Sequence, residues 1–172
     1  MSGDIEQFAI PGVGGLIRRF RDGASWLLVQ ERDKADAPAE TGLVEIPAGK
    51  IRSCENIFDC LRREIREETG LEVTWIQGEE DAVRVRANGY EVLSYTPYAC
   101  AQNLQGGYPI MVQTFLCEVA GNSLASSGEA RAIRWIRLAE LRRMVEAEPR
   151  RFYPMHLTTL RKYLAEQPDS AS

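Results

Sequence analysis

The chain has 172 residues, with one histidine, His156, and four cysteines, Cys54, Cys60, Cys100 and Cys117, none of them in C-x-x-C spacing. A zinc centre built from paired cysteines and histidines is therefore not expected, and the cysteines read as free or buried thiols. No apolar run approaches the roughly 20 residues of a membrane span. The opening MSGDIEQFAI also lacks the charged start and long apolar stretch of a secretory signal. The expectation is a soluble, cytoplasmic protein with no membrane partner. Basic charge is not in excess either: 21 lysines and arginines stand against 25 acids, mixed along the chain, for a net charge of −4. Without a basic stripe to neutralise phosphates, a nucleic acid polymer is not an expected partner. Repeats and low-complexity segments are missing, and only Gln167 to Ser172 reads as a disordered tail.

What remains is a chain with 44% hydrophobic residues, enough for one core of ordinary size, and residues 1–166 read as a single domain. Apolar runs rich in branched residues, bounded by turn residues, predict strands at Phe8 to Phe20, Ser25 to Gln30 and Leu43 to Gly49. Arg21-Asp22-Gly23 forms the first turn of that series, and the polar stretch Glu31 to Gly42 reads as a surface loop. Further strands are predicted at Leu71 to Gln77, Val83 to Arg86, Glu91 to Tyr98, Ile110 to Val119 and Ala132 to Arg137. Helices are predicted at Glu55 to Thr69, Leu138 to Ala147 and Met155 to Ala165. This is a mixed α/β plan with many antiparallel neighbours.

The first of these helices concentrates like charge. Ser53 offers a cap at its start and Gly70 closes its end. Ile57, Phe58, Leu61 and Ile65 form an apolar stripe, and Glu64, Glu67 and Glu68 lie on an arc bordering it. Like charges at i,i+4 destabilise an isolated helix, and a bound cation would remove that penalty. Taken alone, the three glutamates read first as a solvated acidic face bridged to nearby arginines.

The longer stretch GKIRSCENIFDCLRREIREETGL, Gly49 to Leu71, resembles the Nudix box, with Gly49, Glu55, Arg63, Glu64, Glu67, Glu68 and Gly70 at its fixed positions and Ile65 and Leu71 at its apolar ones. Gly12 to Leu16, Trp26 to Val29, Arg134 to Ile136 and Leu138 to Leu141 extend the likeness. Cys54 departs from it, standing where a glycine is common, and Cys60 stands where a small residue is frequent. The resemblance implies an α/β/α sandwich around a mixed β-sheet and hydrolysis of a nucleoside diphosphate linked to another group. Carboxylates and carbonyl oxygens are the hard ligands that suit Mg²⁺ or Mn²⁺.

By position in the box, Glu64 and Glu68 are the first choices as metal ligands, and Glu67 is a third ligand or a general base. The Ala48 or Gly49 carbonyl would add an oxygen. Glu55 and Arg63 would support the carboxylates. Glu129, on a loop before the last strand, is the candidate base, with Glu118 as its rival. The form Glu45-Ile46-Pro47-Ala48-Gly49-Lys50 resembles ADP-ribose and nucleotide-sugar pyrophosphatases, whereas Tyr90 stands near where diadenosine polyphosphate hydrolases often carry a tyrosine. Tyr90, Tyr98 and Tyr108 are candidates for stacking on a base. A nucleoside triphosphate hydrolase, a non-catalytic nucleotide sensor and an isomerase of the isopentenyl diphosphate type are the other readings. A homodimer is the expected assembly if there is one.

Overall fold

In a computed structural model, described over residues 6–106 and 108–167, the chain forms a mixed sheet covered by helices on both faces. β1 (Ile10–Arg21) and β2 (Ala24–Arg32) make an antiparallel hairpin whose two-residue turn places Asp22 and Gly23 at positive φ. Positive φ at both central residues matches the twist of the flanking strands, which is why Asp-Gly suits the turn.

The run predicted as one strand from Leu43 to Gly49 is two: β3 (Val44–Glu45) pairs with β2, and β4 (Ala48–Lys50) pairs with β1. Pro47 lies between them and has no amide to donate, so the ladder breaks there and the chain passes from one partner strand to the next. α1 (Ile57–Thr69) follows. Its cap is Asn56, not Ser53: the Asn56 Oδ1 accepts from the Phe58 amide at 2.9 Å, so the helix starts two residues later than predicted. Gly70 closes it at φ 73°, with its amide donating to the Arg66 carbonyl.

β5 (Glu72–Ile76) pairs with the long strand downstream. β6 (Val83–Ala87) and β7 (Tyr90–Ser94) form a separate hairpin, shorter at its end than the predicted Glu91 to Tyr98. β8 (Ala99–Gln102), which the sequence did not predict, β9 (Ile110–Ala120) and β10 (Ala130–Arg137) complete the strands. The order is β10-β2-β1-β9-β5, with β3, β4 and β8 attached at β2, β1 and β9. The β1–β9 pair is parallel and the others are antiparallel. α2 (Leu138–Ala147) and α3 (Pro154–Glu166) end the described chain. Gly107 and the predicted tail from 168 to 172 lie outside the described residues.

Alternation along the strands builds two cores. Val13, Ile17 and Phe115 pack against Ile57, Phe58, Leu61 and Ile65 of α1, and Leu16, Leu27, Val29 and Leu116 pack against Leu141, Leu160 and Tyr163 of α2 and α3. The result is the α/β/α sandwich that the resemblance to the Nudix box implied. Among the described residues, no helix is long and apolar enough to cross a membrane.

Candidate active site

α1 turns its acidic edge toward β4, and the contact is close. A Cβ on Gly49 would lie 1.9 Å from the Glu64 carboxyl carbon and 2.2 Å from both its oxygens, so only glycine lets that carboxylate rest on the strand. One turn on, Glu68 is 3% exposed; its Oε2 accepts from the Ala48 amide at 3.0 Å and from Gln30 Nε2 at 2.8 Å. Glu67 is over half exposed and leans to Arg63 at 3.3 Å.

The β1–β4 ladder decides which carbonyl faces these acids. The Ile51 amide donates to the Pro11 carbonyl, and the Gly15 amide donates to the Pro47 carbonyl. Between those contacts, Val13 and Gly49 form the hydrogen-bonded pair, which turns the Gly49 carbonyl into the sheet. Ala48 points the other way, with its amide on Glu68, so its carbonyl lies on the acidic side.

Arg63 holds the arrangement together. Its fork meets both oxygens of Glu55, at 2.8 and 3.0 Å, and also reaches Glu64 at 2.5 Å and the Lys50 carbonyl at 3.3 Å. The Arg63 guanidinium holds the Glu55 carboxyl down at about 2, and Glu55 in turn raises Arg63. Glu55 also accepts from the Arg52 amide, which ties the loop before α1 to the same group. Cys54 adopts φ 58° in this loop, the left-handed conformation in which a glycine carries no strain.

Behind Glu68 lies a buried polar network that sequence reasoning missed. Gln30 also donates to Glu45 at 3.3 Å, and Arg32 donates to Glu45 and Glu40, both at 2.6 Å, with its guanidinium 4.0 Å over the Tyr153 ring. Burial, with Glu45 nearby, pushes the Glu68 carboxyl up to about 8, opposed by Lys34 and the bonds from Gln30 and Ala48. Burial also raises Glu45, against the pull of Arg32. One signal was available: Gln30 and Arg32 sit two apart on one strand face, and Glu45 interrupts an apolar run, so all three need buried partners.

The last β2–β10 pair, Arg32 with Ala130, brings Glu129 opposite Asp33, whose amide donates to the Glu129 carbonyl at 3.0 Å. The Glu129 carboxylate then meets Lys34 Nζ at 2.8 Å, and Lys34 stands 3.6 Å from Glu68 Oε1. Thus Glu129 joins the box glutamates. Glu118 does not: it sits beside Trp75, pairs with Arg18 at 3.2 Å and belongs to the sheet face that α2 and α3 cover. Tyr98 packs edge-on against Tyr163 and bonds to Glu166 on α3, and Tyr90 projects at the β6–β7 turn, 74% exposed. Of the three tyrosines only Tyr108 neighbours the box, with Lys50 Nζ 5.3 Å from its ring centre.

The donors fit a hard divalent cation. They are all oxygens, and Glu68 Oε1, buried, has no hydrogen-bond partner. Among the described residues no three of these acids already converge as a cage, because Arg63 draws Glu64 aside and Glu67 points outward.

A family model described as NUDIX domain matches residues 9–156. The fold is similar to an Ap4A hydrolase from C. elegans in a binary complex, at 17% identity and TM-score 0.57, covering 91% of this chain and 96% of that one. It is similar also to a MutT protein from Methanosarcina mazei Go1, at 18% identity and TM-score 0.63, covering 95% and 98%. The NUDIX domain of Shewanella oneidensis NrtR, complexed with ADP ribose, matches at 14% identity and TM-score 0.65, covering 95% and 91%. No curated protein matches the sequence.

Proposed function

Because the chain belongs to the NUDIX domain family and is a Nudix hydrolase, we propose that it splits the pyrophosphate link of a nucleoside diphosphate joined to a second group. ADP-ribose or a nucleotide sugar is the favoured substrate type. The observation that supports this reading is that Glu64 rests against Gly49 and Glu68 against the Ala48 amide, while Lys34 bridges Glu68 to Glu129 from a distant part of the chain.

Glu68 and Glu64, with the Ala48 carbonyl, would hold the cation, and Glu67 stands by as a further ligand or base. A bound Mg²⁺ or Mn²⁺ supplies neutralisation of diphosphate charge and a more acidic water. Glu55 and Arg63 fix the carboxylates in place and touch no substrate. Glu129, on its loop, would take the proton from the attacking water. Tyr108, beside Lys50, is the candidate for stacking on the base. The Glu45-to-Lys50 sequence form supports the ADP-ribose type, and the fold's likeness to a NUDIX domain that binds ADP ribose is consistent with it. The likeness to an Ap4A hydrolase keeps dinucleoside polyphosphates as the second reading.

The test is a panel of ADP-ribose, nucleotide sugars, dinucleotides, diadenosine polyphosphates and nucleoside triphosphates with Mg²⁺, with products identified by mass. Release of a nucleoside monophosphate from ADP-ribose or a nucleotide sugar, faster than from the others, is expected. No turnover on any member, with tight binding of one nucleotide, would replace the hydrolase with a sensor.

A further inference from the structure

β2 ends at Arg32, and the amide of Asp33 is held by the Glu129 carbonyl, so the next side chain, Lys34, is aimed back over the acidic site. Lys34 lies outside the 49–71 box and carries the ammonium nearest Glu68: Nζ is 3.6 Å from Glu68 Oε1 and 2.8 Å from Glu129 Oε2. Its side chain is 20% exposed. Arg32, the other cation of this network, is bound to Glu45 and Glu40. Glu68 Oε1 has no hydrogen bond, although its carboxylate is almost wholly buried. The lysine therefore grips Glu129 firmly and Glu68 only through space.

We propose that Lys34 is a positioning residue that competes with the divalent ion for Glu68 and keeps Glu129 engaged until that ion binds. The Lys34 ammonium, 3.6 Å from Glu68 Oε1, would be repelled by a divalent ion held on that oxygen and would swing out when one binds. Its departure leaves the Glu129 carboxylate free to accept a proton. Base and metal are thus coupled through one side chain. The inference rests on the reading of Glu68 as a metal ligand and Glu129 as a base.

Two measurements test it, and neither needs turnover. In the first, Mn²⁺ is titrated calorimetrically into chelator-stripped parent, Lys34→Met, Lys34→Arg and Lys50→Met proteins. Lys34→Met should bind Mn²⁺ about 10-fold more tightly than the parent, a coupling of about 1.4 kcal/mol. Lys34→Arg, which keeps the charge, should bind like the parent, and Lys50→Met should change far less than Lys34→Met. Equal tightening in Lys34→Met and Lys50→Met, or none in Lys34→Met, would overturn the proposal. In the second, lysine acetylation of the parent is mapped by mass spectrometry with chelator and with Mn²⁺, and Lys162 serves as the internal reference. Labelling of Lys34 relative to Lys162 should rise several-fold when Mn²⁺ is present, and an unchanged ratio would overturn the proposal without any variant. A parent protein that binds no Mn²⁺ at all would instead defeat the metal-site reading on which the proposal stands.

Discussion

At the scale of single residues, the site depends on how close a backbone and a carboxylate come. Gly49→Ala places a methyl where the Glu64 carboxyl group now rests, within 2.2 Å of both oxygens, and α1 cannot withdraw without opening the core beneath it. The carboxylate must swing away. We expect thermal stability within a few degrees of the parent and a Mg²⁺ requirement for half-maximal rate raised by about 10-fold or more, read from metal titrations of the rate. An unchanged requirement would remove Glu64 from the site.

His156 makes a separate prediction. It is 1% exposed, and its Nδ1 accepts from the Ile46 amide at 3.3 Å. Burial, with Arg32 and Lys34 nearby, holds its pKa down at about 3 from an ordinary 6.5. The unfolded chain therefore binds a proton that the folded one refuses, so this contribution is complete above pH 6.5 and is lost as pH falls toward 3. Within that window the free energy of unfolding should drop by about 1.4 kcal/mol per pH unit relative to His156→Asn. Urea titrations of both proteins from pH 7 to about pH 5 check it. A gap between them that is constant with pH would contradict the buried neutral histidine.

Elements show which parts of this protein could be read in advance. α1 was legible because its pattern is local: the apolar stripe, the box spacing and the terminal glycine all fall within 22 consecutive positions, 49–70. Its cap was misread as Ser53 because both Ser53 and Asn56 are good capping types, and only the backbone path decides between them. Asn56→Ala should cost about 1 kcal/mol in unfolding free energy, whereas Ser53→Ala, which removes no cap, should cost little. Equal losses in a denaturant titration would reverse the assignment. β8 escaped notice because Ala99, Cys100, Ala101 and Gln102 have weak strand preference, and pairing with β9 alone makes them a strand. Gln30, Lys34 and Glu45 also escaped. Their link to Glu68 spans 38, 34 and 23 positions of chain respectively, and no local periodicity records such contacts.

At the scale of the whole molecule, the sandwich gives its two faces different work. α2 and α3 cover a face where Trp75, Tyr98 and Tyr163 pack and where Glu118 pairs with Arg18. α1, β4, the end of β2 and the loop before β10 assemble acids and cations around Glu68. Alternation and helical spacing made the mixed α/β plan legible, and the resemblance of Gly49 to Leu71 to the Nudix box implied the layers and the role of its glutamates. Loop placement favoured Glu129 over Glu118 from sequence, but the sheet face that each side chain takes and the β2–β10 register were not legible there.

The most direct test of the account compares Mg²⁺-dependent cleavage of the best panel substrate by the parent, Glu68→Gln and Glu118→Gln. Glutamine keeps the size and the helix preference of glutamate, so a lost rate reports the lost charge. Glu68→Gln should fall by about 10²-fold or more in kcat/KM while Glu118→Gln stays close to the parent. A Glu68→Gln enzyme as fast as the parent, or a Glu118→Gln enzyme as slow as the account expects of Glu68→Gln, would contradict it.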